Sequence, residues 1–277
     1  MIFERAITHW RNFAPWQDNT QVEQDLILTI MLQAIYSEPH LCDHLAFRGG
    51  TCLNKLFWEK PTRYSEDLDF VQMKSGQIGP LVNALRKQLD PLFALKPKWE
   101  ARRDGFRLYY RFQPELDAGA PQQIKIEINT REHFSLEDYV KRPFKFESLW
   151  KSGEANVTTY SLNELMATKV RALYQRRKGR DLFDLWKCHE LNPDWKKIVP
   201  LFLEYMHRGK TSVHRDQFMD NLQEKLKDPR FDADMAMLLS PEENYKSEHA
   251  LQLIEDEIIP LIPESKSKIR SGKKPVQ

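Results

Sequence analysis

This sequence of 277 residues has few cysteines, no long apolar run and almost no net charge. Its three cysteines, Cys42, Cys52 and Cys188, form no CxxC pair, so they indicate reduced thiols and neither a disulfide framework nor a zinc site. The longest uncharged apolar run, Leu26 to Ser37, has twelve residues and is too short to span a bilayer. The first residues lack the layout of a signal peptide, and we therefore expect a cytoplasmic protein.

The charge balance says little by itself, because a net charge of +2 predicts no polyanionic partner. Apolar residues make up 41% of the chain, which excludes global disorder because enough apolar surface is available to offset chain entropy. Basic residues cluster between 169 and 180 and again in a tail from 263 to 277, which we expect to be disordered. The tail cluster consists of Lys266, Lys268, Arg270, Lys273 and Lys274.

Hydrophobic periodicity predicts an α+β domain in residues 1 to 150. Helical spacing extends from Thr20 to Ser37, and later segments alternate as strands do, which predicts a mixed sheet with helices packed on one face. The pair Asp104-Gly105 favours a hairpin between two of these strands. The predicted strands are Leu45 to Phe47, Asp67 to Val71, Lys98 to Arg102, Phe106 to Phe112 and Gln123 to Asn129, and the other predicted helices are Cys52 to Trp58 and Pro80 to Phe93.

After about residue 150 the pattern predicts helices alone, so that residues 151 to 262 form a second, all-helical domain. Ser161 and Glu164 have the spacing of a capping box at the start of the first of these helices. Ser240 and Pro241 are expected to open the last helix, because serine caps helices and proline is favoured at the first helical position.

Asp67 and Asp69 are the leading candidates for a catalytic site, because they lie at i and i+2 on a predicted strand. Successive side chains of a strand alternate between its faces, so both carboxylates point the same way. Such a pair repels itself unless a cation lies between its members, and magnesium, which prefers hard oxygen ligands, favours this arrangement. Taken alone, the pair is more often a solvated strand face.

Two flanking segments favour a phosphate site. Gly49, Gly50 and Thr51 follow a predicted strand and open a helix, where backbone amides can approach a phosphate. On a later strand Lys125 and Glu127 share one face, and Glu127 would supply the third carboxylate that two-metal phosphoryl transfer uses. The structural alternatives are an ordinary glycine turn and a weak ion pair between Lys125 and Glu127.

The segments Arg48 to Lys55 and Arg63 to Phe70 resemble the AbiEii/AbiGii toxin branch of the polymerase-β-like nucleotidyltransferase superfamily, the toxins of abortive-infection and type IV toxin–antitoxin loci. Fifteen residues separate Thr51 from Asp67, a spacing close to that of this branch. Lys169 followed by Arg176 to Asp184 is similar to the branch's helical signature. One departure is the third acidic position, which is glutamate here and commonly aspartate in the superfamily.

The resemblance implies a polymerase-β-like mixed sheet followed by a helical domain, with the active cleft between them. It also implies transfer of a nucleoside monophosphate (NMP) from an NTP to an acceptor hydroxyl, the tRNA 3′ end in relatives, with two Mg²⁺ ions bound. This activity would block growth. A cognate antitoxin would be encoded alongside the toxin and need not contact it. The residues implied are Asp67, Asp69, Glu127, Lys169 and Asp181 for catalysis, the first three of them as metal ligands; Gly49, Gly50, Thr51, Lys55, Ser65 and Arg180 for the nucleotide; and Arg176, Arg177 and Lys178 for RNA.

Two alternatives remain from the residues. A metal-dependent nuclease would use an acidic pair with a lysine, but Lys125 and Glu127 stand in the reverse of the nuclease order and the glycine turn would be unexplained. A non-catalytic nucleotide- or RNA-binding protein would not need all three acidic positions. Under either alternative, the basic residues Arg176, Arg177 and Lys178 would form a solvated helix face.

Overall fold

The computed structural model describes residues 2–117, 119–233 and 235–265. The chain forms two compact units, the first made of Met1–Leu165 with Met237–Asn244 and the second of Met166–Ala236 with Tyr245–Gln277. The chain therefore leaves the first unit and returns to it for one short segment. The basic cluster expected between 266 and 274 lies outside the described residues.

Seven strands in the described part of the chain form one mixed sheet in the first unit, in the order β3-β4-β5-β2-β1-β7-β6. The two central pairs differ in direction, since β1 runs antiparallel to β2 whereas β2 runs parallel to β5. All five predicted strands are confirmed. The strands are β1 Leu45–Arg48, β2 Asp67–Gln72, β3 Lys98–Arg102, β4 Gly105–Phe112, β5 Gln122–Asn129, β6 Val140–Glu147 and β7 Ser152–Thr159.

The helices of the first unit are α1 Glu4–Trp10, α2 Asn19–Tyr36, α3 Pro39–Cys42, α4 Gly49–Leu56 and α5 Gly79–Leu89. The helix α2 confirms the periodicity between Thr20 and Ser37, and it begins where the Asp18 side chain accepts a hydrogen bond from Thr20 N at 2.6 Å. It packs on β2, β5 and β7, so its apolar residues and those of the strands form the core. Burial on this side of the sheet leaves the opposite side chains of β2 available for a site.

The helices of the second unit are α6 Leu162–Gln175, which starts four residues before the unit boundary, α7 Gly179–Cys188, α8 Trp195–Arg208, α9 Arg215–Leu226, α10 Arg230–Ala233 and α11 Ser247–Leu253. Aromatic side chains fill its core: the ring centroids of Phe202 and Phe218 lie 6.0 Å apart and those of Phe183 and Tyr245 lie 5.1 Å apart. Throughout the described residues, no helix has both the length and the apolar character that crossing a membrane requires.

The expectation of helices alone after residue 150 is wrong for Ser152–Thr159, because this segment is β7 and pairs antiparallel with β6. Both strands contain residues that disfavour strands, and their sequence patterns therefore do not predict them. Pro143 is tolerated in β6 because β6 lies at the edge of the sheet. Gly153 in β7 lies against the Gln33 side chain, which would be 2.9 Å from an added Cβ, so glycine leaves room for that side chain where it stands.

The helix expected to open at Ser240 is also absent, and α11 begins only at Ser247. Ser240 N instead donates a hydrogen bond to Thr62 O at 2.9 Å, and Tyr64 N donates to Leu238 O at 2.6 Å. This segment therefore pairs with the chain just before β2, and a long-range backbone contact overrides a good local helix start.

Candidate active site

Asp67 and Asp69 lie on the same face of β2, as the alternation predicts. Their neighbours Leu68 and Phe70 point to the other face and are buried in the core, at 0% and 1% exposure. Across the sheet Asp69 is opposite Arg48 of β1 and opposite Glu127 of β5. The strand therefore holds two carboxylates side by side, with a fixed backbone behind them.

The glycine turn leads directly from β1 into α4 beside these carboxylates. Gly49 has a φ of +86°, and a Cβ at this position would lie 2.5 Å from Asp69 Oδ2. A Cβ on Gly50 would collide with the guanidinium group of Arg63. Both glycines are thus required for the close approach of α4 to the acidic strand, which places the positive end of a helix next to Asp69.

Two hydroxyl groups tie the start of α4 to the start of β2. Thr51 Oγ1 donates a hydrogen bond to Asp67 O at 2.5 Å, and it lies 2.8 Å from Ser65 Oγ. Thr51 is buried and Ser65 is partly exposed. The predicted phosphate-binding residues Gly49, Gly50, Thr51 and Ser65 are thus brought together around Asp67 and Asp69.

Glu127, the third acidic residue, lies between two cations. Its Oε1 is 2.9 Å from Arg107 Nη2, and its Oε2 is 3.0 Å from Lys125 Nζ. The same Lys125 Nζ lies 3.0 Å from Asp67 Oδ2. Lys125 therefore bridges the acidic pair on β2 and the acidic residue on β5.

The pKa values reflect this crowding of charge. Burial and the neighbouring Asp69 carboxylate raise the pKa of Asp67 to about 6, and the nearby Lys125 offsets only part of that rise. Burial alone would raise the pKa of Glu127, but hydrogen bonds from Arg107 and Lys125 hold it below its usual value. Burial alone would lower the pKa of Lys125, but Asp67 and Glu127 raise it. Lys125 and Glu127 are therefore both charged at neutral pH.

The fit of a divalent cation differs among the three carboxylates. Asp67 and Asp69 offer hard oxygen ligands on one face of β2, and among the ion pairs of the described residues Asp67 has a cation at one oxygen only, so the pair fits Mg²⁺. Glu127 already has a cation at each carboxylate oxygen. Among the described residues, no group of three or more His, Cys, Asp or Glu side chains is placed to hold a metal ion. The expected two-metal arrangement with Glu127 as a ligand stays a prediction.

Lys55, expected at the nucleotide, is held by a buried carboxylate. Its Nζ lies 2.7 Å from Asp25 Oδ1, and both side chains are at most 10% exposed. The indole N–H of Trp10 donates to the same Asp25 oxygen at 2.9 Å. In this arrangement Lys55 anchors α4 to α2.

The helical unit contains a second charged cluster, built around two fully buried carboxylates. Lys169 Nζ on α6 lies 2.6 Å from Asp184 Oδ2 and 3.3 Å from Asp181 Oδ1 on α7. Arg176 binds Asp181 with both Nε and Nη2, at 2.5 and 2.7 Å. Burial alone would raise the pKa of Asp181, but Lys169 and Arg176 hold it below its usual value.

The remaining basic residues of this block differ in their surroundings. Arg177 is exposed and lies 3.9 Å from Glu224, and Lys178 is exposed at the N-cap of α7. Arg180 is half-buried in the first turn of α7. Of the three residues expected to bind RNA, Arg176 is thus held by a buried carboxylate, whereas Arg177 and Lys178 are exposed.

Three residues at these sites are not among the candidate site residues of the sequence, although Arg63 begins one of the segments that carry the resemblance. Arg63 is 1% exposed beneath Gly50, Arg107 holds Glu127, and Asp25 holds Lys55. Asp25 has a signal in the sequence, since it interrupts the apolar face of α2. Arg107 could be located only from the register of β4 on β5, which places it opposite Glu127.

Comparison with known proteins gives a family and two similar folds. The family described as nucleotidyl transferase AbiEii toxin, type IV toxin–antitoxin system, matches residues 30–253. No protein with a curated function matches the chain. The fold is similar to that of MenT4, a nucleotidyltransferase toxin from Mycobacterium tuberculosis, with 14% identity, 92% of this chain and 88% of that chain covered and a TM-score of 0.59. It is also similar to JHP933 from Helicobacter pylori, with 16% identity, coverage of 85% and 89% and a TM-score of 0.50.

Proposed function

Because the chain belongs to the AbiEii family of nucleotidyl transferase toxins of type IV toxin–antitoxin systems, we propose that it transfers an NMP from an NTP to the 3′ hydroxyl of a tRNA. The family makes the chain an NTP-dependent nucleotidyltransferase, which removes the nuclease and the non-catalytic alternatives. The acceptor, the dependence on Mg²⁺ and the cytoplasmic site of action belong to the proposal. Modified tRNA would no longer support translation, and growth would stop.

The observation that carries the proposal is the contact between the glycine turn and the acidic strand. Gly49 brings the first turn of α4 so close to Asp69 that a single added Cβ would lie 2.5 Å from the carboxylate. Phosphates bind well at helix N-termini, where unpaired N–H groups and the helix dipole face the ligand. The triphosphate would therefore lie at the start of α4 and next to Asp67 and Asp69.

Asp67 and Asp69 would hold Mg²⁺, which supplies charge neutralisation for the triphosphate and for the oxygens of the transferring phosphoryl group. Thr51 and Ser65 would keep the start of α4 aligned with β2, because Thr51 already bonds Asp67 O and lies within hydrogen-bonding distance of Ser65. Lys55 would contribute to nucleotide binding by holding α4 in place, since its charge is paired with Asp25.

In the reaction, the acceptor oxygen attacks the α-phosphorus of the NTP and forms the new phosphodiester bond. The bond between the α-phosphorus and the α–β bridging oxygen breaks, and pyrophosphate leaves with that electron pair. The hydroxyl proton must pass to a base or to water. Glu127 faces this side of β5, but a carboxylate whose pKa is held below its usual value is a weak base, so we assign it to positioning Lys125 beside Asp67.

The helical unit would supply further cations and the grip on RNA. We assign Lys169, Asp181 and Arg180 to the catalytic and nucleotide-binding set and Arg176, Arg177 and Lys178 to RNA. The ion pairs of Lys169 and Arg176 with Asp181 would fix the shape of this surface. The family places an antitoxin with the toxin, and we propose that this partner is genetically linked and need not bind the toxin directly.

The test is product analysis with purified protein. Each labelled NTP would be incubated separately with total RNA and Mg²⁺, and the RNA would be resolved by length. We expect label in tRNA lengthened at its 3′ end, and no label with Asp67→Asn or Asp69→Asn. Shortened RNA, or equal labelling by the wild type and both variants, would contradict the proposal.

A further inference from the structure

Lys125 lies where a second metal ion would have to bind. Its ammonium nitrogen is 3.0 Å from Asp67 Oδ2 and 3.0 Å from Glu127 Oε2, so it already bridges the acidic residues of β2 and β5. In two-metal phosphoryl transfer, an ion shared between such carboxylates makes this bridge. A divalent cation could take that place only after displacing Lys125 from both partners.

The backbone makes this arrangement hard to avoid. In the parallel pairing of β2 and β5, Lys125 is directly opposite Asp67 and Glu127 is directly opposite Asp69. Arg107 is opposite Glu127 on the other side and binds its remaining oxygen at 2.9 Å. Glu127 is thus compensated by Lys125 of its own strand and by Arg107 of the neighbouring β4, whereas Asp67 and Asp69 have only Lys125 of these two cations.

We propose that Lys125 is a built-in cation that replaces the second metal ion, so that this chain binds a single divalent cation, at Asp67 and Asp69. Glu127 then serves as the positioning residue that holds Lys125 at Asp67 and is not a metal ligand. The inference rests on the proposed function for the role of Asp67 and Asp69 at the metal. It departs from the two ions that the superfamily resemblance implies.

The charge count of the cluster favours this assignment. Asp67, Asp69 and Glu127 together with Lys125 and Arg107 carry a net charge of −1, which one divalent cation more than neutralises. Arg48, opposite Asp69, adds no net charge to this count because it pairs with Glu132 at 3.3 Å. A second divalent cation would add two more positive charges beside Lys125 and Arg107, at separations where like charges repel strongly. Removing the Lys125 ammonium should therefore create a second site, between Asp67 and Glu127.

The experiment counts bound Mn²⁺, used alone as the probe, by electron paramagnetic resonance and equilibrium dialysis at neutral pH. The wild type, Lys125→Arg and the exposed-lysine control Lys98→Gln should bind a single Mn²⁺. Lys125→Gln should bind a second ion close enough to the first, about 4 Å away, to broaden the spectrum through spin coupling. Equal numbers of bound ions in the wild type and Lys125→Gln would overturn the proposal.

A second variant keeps the test decisive if Lys125→Gln does not fold. Glu127→Gln should leave the single Mn²⁺ of the wild type in place, because Glu127 is not a ligand. A loss of bound Mn²⁺ in Glu127→Gln would overturn the inference. NMP transfer measured on the same preparations separates this result from the proposed function. A spin-coupled pair of Mn²⁺ ions in a wild type that is active in transfer would refute the single-ion assignment but not the activity. A single bound Mn²⁺ in a wild type without transfer would refute the proposed activity but not the single-ion assignment.

Discussion

At the scale of single residues, Asp67 makes the stability of the metal-free protein depend on pH. Its pKa is about 6 in the folded chain against 3.8 as the ordinary value, because of burial and the Asp69 charge. Between these two values the folded state binds more protons than the unfolded state, so stability falls as pH rises from about 4 to about 6. Above pH 6 the charged form costs about 2 to 3 kcal/mol at most.

Asp67→Asn should remove this dependence, because the amide cannot ionise. In thermal melts with a chelator present, the variant should melt near the wild type at pH 4 and above it at pH 7. Asp104→Asn in the exposed hairpin turn is the control, since an Asn-Gly pair suits the same turn. A pH profile of Asp67→Asn parallel to that of the wild type would show that the Asp67 charge is fully compensated.

Gly49 allows a second prediction at this scale. Gly49→Ala combines a left-handed backbone, at a φ of +86°, with a Cβ that would lie 2.5 Å from Asp69 Oδ2. We expect a loss of about 1 to 2 kcal/mol of stability and at least a tenfold loss of transfer, because Asp69 must move. Gly79→Ala is the matched control: nothing lies within 4 Å of its added Cβ at the start of α5. Chemical denaturation and initial rates measure both effects, and equal activity of the two variants would contradict the assignment of Gly49.

At the scale of elements, Lys169 joins α6 to α7 through Asp184 and Asp181, both 0% exposed. Lys169→Met removes the cation that Asp181 and Asp184 share, and weakening this buried ion-pair network should cost up to about 3 to 5 kcal/mol. Adding Asp184→Leu should restore most of that stability, because Asp181 still has Arg176 and a paired apolar replacement is well tolerated.

The double variant then separates packing from catalysis. If Lys169 acts on the nucleotide, transfer per folded molecule stays lost in Lys169→Met with Asp184→Leu. Recovery of transfer together with stability would make Lys169 a purely structural residue. The folded fraction is measured by circular dichroism on the same samples, so that the two readouts refer to one population.

The elements also show where sequence reasoning succeeds. Strong periodicity in α2 and strict alternation in β2 and β5 were sufficient to predict these elements and to place Asp67 and Asp69 on one face. The strands β6 and β7 were not predictable, because Pro143 and Gly153 are tolerated only for reasons of tertiary structure, an edge position and a close approach. The ion pair between Arg107 and Glu127 depends on register, which no local pattern contains.

At the scale of the whole molecule, the chain shares its fold with MenT4 over 92% of its length, so the likeness covers residues of both compact units. The acidic strand lies in the first unit and the basic block in the second. The motifs of the two units were recognisable separately in the sequence. The residues of the basic block differ in their contacts: Arg176 binds the buried Asp181 carboxylate, whereas Arg177 and Lys178 are exposed to solvent.

This division leads to the last prediction, on RNA binding. Neutralising Arg177 and Lys178 together, as Arg177→Gln with Lys178→Gln, should weaken tRNA binding and reduce the slope of log K against log salt by about 0.7 to 0.9 for each lost phosphate contact. Stability should hardly change, because both side chains are exposed. Binding isotherms at several salt concentrations give the slope, and NTP binding measured in parallel should be unaffected.

The matched control is Lys196→Gln with Lys197→Gln, an exposed lysine pair in the first turn of α8 that carries the same charge change within the same unit. An equal fall in slope for both double variants would mean that any two positive charges on this unit contribute equally to RNA binding. RNA would then be attracted by the overall electrostatic field of the unit and not by specific contacts with Arg177 and Lys178. A fall in NTP affinity with RNA binding intact would move Arg177 and Lys178 to the triphosphate. No change in either affinity would make them a solvated helix face, and the acceptor would have to bind through other basic residues.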